Sequence, residues 1–386
     1  MLKVLKGLLI ALAIAALPTL ILWLPFFLRA KSVWHIPLPQ SGMQSIVANY
    51  DGPLFLVVAK TFYDPTSIST NFEFSLPTEY YAAHFPAFPT LIKIFAPIFG
   101  YPYSMLLVTI ASSTLAIYFF GRFIRQYTEG KNAVFLTLLF GLFPARWLIV
   151  RSVGSAEPLF MAAIIASIFY FQNKKYLLAG VWGALAQLTK SPGILLFGAY
   201  AVTFFGPHLK SLVTSKFSNW LENVSIAKFL PLLLIPLSLL GVFVFYQIRI
   251  GDFFAYFHSG NNIHLFFPPF QIFNYSASWV GTYWLEEIIF VYLIGALGIA
   301  TLAKKGKGIL YWFTLIFFIS TLFISHRDLI RYSLPLVPFL IAAFADTLSK
   351  KEFKIAFAVI IIPIFLYSLA FISQNVMPIS NWSSFL

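Results

Sequence analysis

The sequence contains no cysteine, and this absence excludes disulfide bonds, thiolate zinc sites and cysteine nucleophiles. Charged residues are also scarce, at 10% of the 386 residues, whereas a soluble domain has roughly 25%. The signatures of an ATP-binding loop, a dinucleotide-binding turn, a zinc protease and a serine hydrolase are all missing. The sequence therefore excludes a soluble globule, a disordered chain and a secreted disulfide scaffold.

Apolar residues make up most of what is present: 60% are hydrophobic, 19% are aromatic, and the mean hydropathy is +0.84. A membrane crossing needs about 20 apolar residues. The first apolar run, Gly7 to Leu28, follows Lys3 and Lys6. It is longer than the core of a signal peptide and has no small-residue cleavage site. We therefore predict a retained first transmembrane helix with a cytoplasmic N-terminus.

Ten further apolar segments continue this pattern to the end of the chain. They are 103–121, 132–149, 157–172, 176–190, 193–207, 229–248, 284–303, 309–325, 330–348 and 355–373. The sequence thus predicts an all-α polytopic membrane protein of about eleven transmembrane helices, forming a single integral membrane domain over residues 1–386.

The charge distribution supports this topology. The net charge is +13, and the proposed cytoplasmic side, which includes Lys210, Lys216 and Glu222, carries 16 of the 26 bases but only four of the 13 acids. Such an excess of Lys and Arg is typical of cytoplasmic loops. No basic run is dense enough to follow a nucleic-acid backbone, so we expect no nucleic-acid partner.

Two long segments lie on the proposed outer side, at 29–102 and 249–283. Loops of this length in a compact fold are usually functional. Within the first, Leu54–Tyr63 and Phe88–Phe99 are apolar but too short to span a membrane. We predict that they form interfacial helices.

Ionisable groups near a membrane are costly and are therefore functional candidates. Asp51, within Tyr50-Asp51-Gly52-Pro53, is either a general base for a hydroxyl or a helix cap or turn residue. His84, at the end of the same loop, either donates to a phosphate oxygen or sugar hydroxyl or is simply an interfacial histidine.

Further candidates flank the outer ends of later helices. Arg146 and Glu157 bracket a short outer turn, where Glu157 either caps a helix or binds substrate and Arg146 can pair with it. Lys190 ends another helix, where it either contacts a phosphate or extends toward the membrane surface.

The segment from His326 to Tyr332 carries the densest cationic group on the outer side. Arg327 and Arg331 are four residues apart, so we expect them to share a helix face with His326 and Tyr332 nearby. Guanidinium groups bind phosphate through two parallel hydrogen bonds, which suits a lipid phosphate. The alternative is an Arg–Asp surface network. No metal-ligand cluster is evident, although a single divalent ion at Asp51 stays an open alternative.

These motifs resemble the GT-C superfamily of membrane glycosyltransferases. Tyr50-Asp51-Gly52, followed by His84-Phe85-Pro86-Ala87-Phe88-Pro89, is similar to the mannosyltransferase family related to GPI mannosyltransferase II (PIG-V type). The likeness extends over roughly residues 45–200. Tyr50 stands where that family usually has Trp, and Lys190 stands where Arg is common.

The resemblance implies an inverting transfer of a sugar, mannose in that family, from a polyprenyl-phosphate donor to an acceptor hydroxyl at the outer membrane face. Asp51 would be the catalytic base, and no cofactor is implied. The acceptor would be a glycan, a glycolipid or a protein, and the membrane would be the plasma membrane in a prokaryote. The donor phosphate would contact Arg327, Arg331, His326, Lys190 and Tyr332, and substrate would contact His84, Tyr50, Glu157 and Arg146.

Two other functions are compatible with a polytopic chain. A secondary transporter or lipid flippase would need polar residues inside the spans, where this sequence has few. A non-catalytic membrane scaffold would not need acids, arginines and histidines on one side. Both alternatives predict that the carboxylate of Asp51 is dispensable.

Overall fold

The computed structural model describes residues 2–72, 76–208, 226–260, 265–277 and 279–386. The proposed cytoplasmic charges Lys210, Lys216 and Glu222 lie outside the described residues, as do 261–264 and 278 of the second outer segment. The chain divides into two compact units. The first comprises Met1–Ala162, Val242–Gly260 and Ala345–Leu386, and the second comprises Ala163–Gly241 and Asn261–Phe344.

The described chain is mostly helical. Up to residue 208 its α-helices are α1 Leu2–Phe27, α2 Gln44–Val47, α3 Gly52–Thr61, α4 Pro65–Asn71, α5 Ala87–Phe99, α6 Tyr101–Ile124, α7 Gly130–Leu142, α8 Ala145–Val150, α9 Glu157–Gln172, α10 Tyr176–Thr189 and α11 Ile194–Phe205. The remaining ones are α12 Ile226–Phe229, α13 Leu234–Ile250, α14 Ala255–His258, α15 Thr282–Lys305, α16 Ile309–Leu322, α17 Leu329–Tyr332, α18 Val337–Ala343, α19 Ala345–Leu348 and α20 Lys351–Gln374.

Short 3-10 helices and one small hairpin complete the described secondary structure. The 3-10 segments are Thr78–Ala83, Ser191–Gly193, Gly206–His208, Leu230–Leu233, Gln271–Phe273, Leu334–Leu336 and Ser383–Phe385. The hairpin pairs β1, Ser32–Val33, with β2, Ile36–Pro37, in antiparallel register.

Five helices in the described part of the chain are long and apolar enough to cross a membrane. They are Val4–Phe27, Tyr101–Ile124, Ile226–Ile250, Trp284–Lys305 and Lys351–Gln374. The predicted all-α polytopic membrane fold is thereby confirmed. Shorter apolar helices of 10–17 residues account for the other predicted segments, so the number of about eleven crossings stays a prediction, as does the single membrane domain.

Proline divides two of the predicted spans. The segment 132–149 is two helices, α7 and α8, which meet at Phe143-Pro144. The segment 330–348 is divided into α17, a 3-10 turn, α18 and α19, with Pro335 and Pro338 at the breaks. A proline inside a helix removes one backbone hydrogen bond and clashes with the preceding turn. These two predictions of continuous helices were therefore wrong.

In the first unit, a buried arginine compensates for a proline inside α1. Pro18 cannot donate a backbone hydrogen bond, which leaves the carbonyl of Ile14 without its helical partner. The guanidinium of Arg151, which is fully buried, donates to the carbonyl oxygens of Ala15 at 2.6 Å and Ile14 at 3.4 Å. It also donates to the hydroxyl of Thr19 at 3.3 Å. Arg151 thus attaches the turn after α8 to the middle of α1.

The two predicted interfacial helices have different surroundings. The helix α5 keeps exposed apolar side chains, with Ile94 at 59% and Ile98 at 73% exposure, and such a face suits a membrane interface. The helix α3 is instead buried from Gly52 to Ala59 and packs against α5 and α6. It is therefore an internal element of the first unit, and it carries the most important candidate residue at its N-terminus.

In the second unit, close backbone packing organises the helices. A Cβ atom at Gly180 of α10 would lie 2.1 Å from the carbonyl oxygen of Pro231, so only glycine permits this approach. A second core contains Ile272, Leu285, Ile288 and Leu329. This core joins α15 to the start of α17, the segment that carries the predicted cationic group.

Candidate functional site

The segment that carries Asp51 is attached to the C-terminal part of the chain. The backbone N–H of Met377 donates to the carbonyl of Ala48 at 2.8 Å, and Asn49 forms a β-bridge with Val376. Asn49 is fully buried, and its side-chain amide donates to the carbonyl of Ile372 at 2.7 Å. The backbone before Asp51 is therefore fixed by main-chain hydrogen bonds to the segment after α20 and by the Asn49 side chain, which bonds to α20.

Asp51 occupies the position before α3, but its carboxylate makes no capping hydrogen bond to that helix. Asp64 provides a direct comparison, since it also precedes a helix that has proline in its first turn. The Oδ1 atom of Asp64 accepts from the N–H of Thr66 at 3.1 Å and from that of Ser67 at 3.2 Å. The capping alternative considered for Asp51 therefore describes Asp64 and not Asp51.

Two glycines bring the Asp51 segment beside the turn that precedes Glu157. A Cβ atom at Gly52 would lie 2.3 Å from the carbonyl oxygen of Val47 and 3.3 Å from the Cε atom of Met105. A Cβ atom at Gly154 would lie 2.3 Å from the same Cε atom. Both backbones therefore pack on the tip of one methionine side chain, which places the two candidate carboxylates in neighbouring segments.

Arg146 connects Tyr50 to α20. Its Nη1 atom donates to the Tyr50 hydroxyl at 2.8 Å, and its Nη2 atom donates to the Tyr367 hydroxyl at 3.4 Å. The guanidinium carbon lies 3.9 Å from the ring centroid of Phe371, and the Tyr50 ring stacks on the same phenylalanine at 5.5 Å. A guanidinium over an aromatic face is held by cation–π attraction. This cluster, in which Arg146 is buried, fixes Tyr50, the residue next to Asp51.

Glu157 begins α9 and is 6% exposed. Its carboxylate accepts a hydrogen bond from the Ser155 hydroxyl, and the N–H of Ser155 donates to the Thr109 hydroxyl at 3.4 Å. A carboxylate at a helix N-terminus is favoured by the helix dipole. The location fits either of the predicted roles, helix capping or substrate contact.

His84 is buried among aromatic rings rather than placed at a surface. It is 7% exposed, and its ring meets the edge of Phe55 at 4.9 Å. Phe55 lies one helical turn after Asp51, because its N–H donates to the Asp51 carbonyl at 3.0 Å. The predicted surface-belt alternative for His84 is therefore wrong, since the aromatic side chains of the loop enclose it within the first unit.

Tyr81 lies one turn before His84 and was not anticipated from the sequence. Burial raises the pKa of its phenol to about 12, so the hydroxyl keeps its proton at neutral pH. Among the described residues, this hydroxyl has no hydrogen-bond partner. It is therefore an additional donor near the loop histidine.

In the second unit, the predicted cationic segment from His326 to Tyr332 contains a buried ion pair, and the rings of His326 and Tyr332 lie close to each other beside it. The Nε atom of Arg331 lies 3.3 Å from Oδ2 of Asp328, and both side chains are about nine-tenths buried. The ring of His326 lies 5.0 Å from that of Tyr332, and the guanidinium of Arg331 lies 5.4 Å from the Tyr332 ring. The Arg–Asp network considered from the sequence is thus present, but inside the unit rather than on its surface.

Arg327 does not share a helix face with Arg331, so this prediction was wrong. The helix α17 begins only at Leu329, and Arg327 precedes it in an exposed turn. The N–H of Asp328 donates to Nδ1 of His326 at 3.0 Å, which closes the turn before the helix starts. The structure therefore brings His326, Arg331 and Tyr332 together and leaves Arg327 accessible.

Lys190 ends α10 in the second unit with an extended backbone. Its carbonyl accepts from the N–H of Gly193 at 3.0 Å, and the tight turn requires glycine there because a Cβ atom would lie 2.5 Å from the backbone of Gln187. The position of Lys190 is therefore defined by the backbone of the Lys190–Gly193 turn.

In the part of the chain that the structure describes, no three His, Asp or Glu side chains are grouped in a way that could hold a metal ion. The described residues thus offer carboxylates, guanidinium groups, an imidazole and phenols as the groups available for chemistry.

Several contacts of the candidate site could not be anticipated from local sequence. Tyr367 and Phe371 contact Arg146, although more than 200 residues separate them from it. The sequence did contain one indication of this contact. Tyr367 and Phe371 are four residues apart in an apolar segment, so they are expected to lie on the same face of a helix. The pairing of Asn49 with Val376 had no such signal.

Comparison with known proteins identifies the fold. No protein-family model and no curated protein matches the sequence. The solved structures to which the chain is similar include ArnT from Cupriavidus metallidurans bound to undecaprenyl phosphate. They also include the archaeal oligosaccharyltransferase AglB from Archaeoglobus fulgidus in complex with an inhibitory peptide and a dolichol-phosphate. Their TM-scores are 0.56 and 0.55, at 15% and 16% sequence identity. The chain has a GT-C membrane fold.

The GT-C likeness covers nearly all of this chain but only part of the two larger structures. It includes 89% of the chain against ArnT and 97% against AglB, yet the chain spans 62% of ArnT and 57% of AglB. An ArnT structure in the apo state is also similar, with a TM-score of 0.52 over 92% of the chain. At these identities the comparison concerns the GT-C fold. The finer resemblance to PIG-V-type mannosyltransferases stays a prediction.

Proposed function

We propose that this protein is an inverting glycosyltransferase that moves a sugar from a polyprenyl-phosphate donor to an acceptor hydroxyl. Mannose is the proposed sugar, because the motifs around Asp51 and His84 are similar to those of PIG-V-type mannosyltransferases. The acceptor belongs to a glycan, a glycolipid or a protein.

The observation that carries the proposal is the state of Asp51. Asp51 stands before a helix with proline in its first turn and makes no side-chain capping hydrogen bond, whereas Asp64, which also precedes such a helix, caps it. The backbone of Asp51 is fixed by the β-bridge at Asn49, and Tyr50 is fixed by Arg146. A general base needs such a defined position, with its oxygens not committed to a helix end.

The proposed reaction is a single displacement. Asp51 takes the proton of the acceptor hydroxyl, and the oxygen of that hydroxyl attacks the anomeric carbon of the donor sugar. The bond between that carbon and the phosphate oxygen breaks, and its electron pair goes to the phosphate. The product carries the inverted anomeric configuration, and polyprenyl phosphate is released.

Negative charge develops on the phosphate during this step, and preorganised cations lower the energy of such a transition state. Arg331 is the leading proposed phosphate ligand, since guanidinium binds phosphate oxygens in pairs. The further proposed donor contacts are Arg327, His326, Lys190 and Tyr332. The proposed sugar or acceptor contacts are Tyr50, His84, Glu157 and Arg146.

A lipid donor suits both the fold and the charge distribution. Two proteins of similar fold were solved with undecaprenyl phosphate or dolichol-phosphate. The excess of Lys and Arg on the predicted cytoplasmic side supports an outer location for the Asp51 loop, and we propose that the reaction takes place on that side. Nucleotide sugars are absent there, so an activated sugar must arrive on a membrane lipid.

The proposal is tested with the purified full chain reconstituted in liposomes. Undecaprenyl-phosphate and dolichyl-phosphate carrying labelled mannose, glucose or galactose are supplied with a membrane glycolipid and glycan extract as the acceptor source. We expect one donor class to be consumed, with release of polyprenyl phosphate and labelling of an acceptor. Mannose is expected to be the preferred sugar.

The same experiment separates the proposal from its alternatives. A lipid flippase would move the labelled donor between leaflets without releasing polyprenyl phosphate, and a scaffold would do neither. Intact donor after prolonged incubation with every sugar, in liposomes that contain correctly folded protein, would contradict the glycosyltransferase proposal.

A further inference from the structure

A polar groove in the first unit has no role in the chemistry proposed above. It has a volume of about 280 Å³ and lies between the end of α4 and the segment that follows α20. This volume is several times the ~30 Å³ that one water molecule occupies in the liquid. The groove is therefore large enough to admit a small organic ligand.

Six neutral polar residues line the groove: Ser69, Thr70, Asn71, Ser380, Asn381 and Ser384. Hydroxyl and amide side chains can each donate and accept hydrogen bonds. Those of Thr70, Ser380 and Ser384 make no hydrogen bond to the rest of the described chain, so they are available to a ligand. Phe72 and Phe385 also line the groove, but their rings pack on each other at 5.2 Å and are almost fully buried, so the accessible lining is mainly polar.

The uncharged side chains of the described lining favour a neutral ligand. Among the described residues, no charged side chain lines the groove. Lys60 is nearby, but its ammonium group donates to the carbonyl of Ser384 at 2.8 Å and to that of Leu386, and it lies over the Tyr101 ring. Burial also lowers the pKa of Lys60. A phosphate would need a free cation, whereas a neutral polyhydroxyl molecule needs mixed hydrogen-bond donors and acceptors.

The helix α3 connects the groove to Asp51. Asp51 precedes the first residue of this helix, and Lys60 in its last turn holds the 3-10 segment Ser383–Phe385 beside the groove. A helix of ten residues is about 15 Å long. The groove and the candidate base thus lie at opposite ends of one buried, rigid element.

We propose that this groove binds a neutral saccharide, namely a sugar unit of the acceptor that lies away from the reacting hydroxyl. The inference rests on the proposed glycosyl transfer and makes its acceptor a glycan or glycolipid. A saccharide presents several hydroxyl groups, which match the hydroxyls of Thr70 and Ser380.

Binding is measured directly on the full chain in detergent, independently of any transfer. The probes are the methyl glycosides of mannose, glucose, galactose and N-acetylglucosamine, observed by saturation-transfer difference NMR. We expect at least one of them to bind. The double variant Thr70→Val, Ser380→Ala removes two hydroxyls with little change in shape and is expected to weaken binding about tenfold, since each neutral hydrogen bond contributes modestly.

Two further variants make the result specific to the groove. Thr66→Val makes the same chemical change on the exposed side of α4, outside the lining, and should leave glycoside affinity unchanged. Thr70→Trp should fill the groove and abolish binding while the melting temperature stays near that of the wild type. Absence of binding by all four glycosides, or equal affinity in Thr66→Val and the double variant, overturns the inference. Displacement of a bound glycoside by inorganic phosphate also overturns it.

Transfer kinetics separate this inference from the proposed function. The double variant should raise the KM for the acceptor and leave the KM for the donor unchanged. If transfer depends on Asp51 but no glycoside binds, the groove inference fails and the proposed function stands. If a glycoside binds but transfer persists without the Asp51 carboxylate, the proposed catalytic role fails instead.

Discussion

Replacing Gly52 by alanine should disturb the candidate site, because the added methyl group meets a backbone atom. The added Cβ atom would lie 2.3 Å from the carbonyl oxygen of Val47, well inside the van der Waals separation. A backbone carbonyl cannot rotate away as a side chain can. Because Val47 ends α2 two residues before Asn49, relief of the clash must move either the β-bridged segment or the start of α3.

The expected cost is that of overpacking a close contact, about 1–3 kcal/mol of stability. The catalytic effect should be larger, since a misplacement of about 1 Å can reduce a rate roughly 100-fold. We therefore expect Gly52→Ala to lower the melting temperature moderately and to reduce glycosyl transfer severely. Tryptophan fluorescence in detergent measures the first effect, and donor consumption in liposomes measures the second.

Two other glycines are matched controls. Gly154→Ala meets the flexible tip of Met105, which can move aside, so its effect should be smaller than that of Gly52→Ala. Gly198→Ala, within α11, has no neighbour within 4 Å and should be neutral or stabilising by about 0.5–1 kcal/mol. If Gly52→Ala and Gly198→Ala melt and react alike, the close packing at Asp51 is refuted.

Three arginine substitutions give further tests. Arg151→Met should lower the stability by about 1–3 kcal/mol, because buried carbonyls of the first helix lose their donors; an unchanged melting temperature would contradict this. Arg146→Lys keeps the charge but loses the planar contact with Phe371, so transfer should fall about tenfold while the fold persists. Arg331→Lys preserves a positive partner for the nearby carboxylate but loses the paired donors, so the donor KM should rise at least several-fold; an unchanged donor KM would exclude Arg331 as a phosphate ligand.

The sequence predicts this fold well because the membrane imposes a simple rule on it. Each span must be apolar over a fixed length, so the runs at Gly7–Leu28 and 355–373 correspond closely to α1 and α20. The prediction of continuous helices failed at Pro144 and Pro335, where proline divides an apolar run. Hydropathy measures only how apolar a segment is, so it does not detect where one helix ends and the next begins.

The candidate site could be predicted only in part. Asp51 and Tyr50 are recognisable because they are adjacent and follow the first span. The stacking of Arg146 on Phe371 and the bridge from Asn49 to Val376 join residues more than 200 positions apart. Such contacts arise from helix packing, which a single sequence does not encode in any local pattern.

The most direct test of the central claim is the rate of sugar transfer from polyprenyl phosphate by Asp51→Asn, compared with Asp64→Asn in the same liposomes. The amide at position 51 cannot accept the proton of the acceptor hydroxyl, whereas asparagine at position 64 can still cap α4. We predict loss of transfer by at least about 100-fold in Asp51→Asn, with donor binding and melting temperature retained, and near wild-type transfer in Asp64→Asn. Equal rates in the two variants would contradict the assignment of Asp51 as the catalytic base.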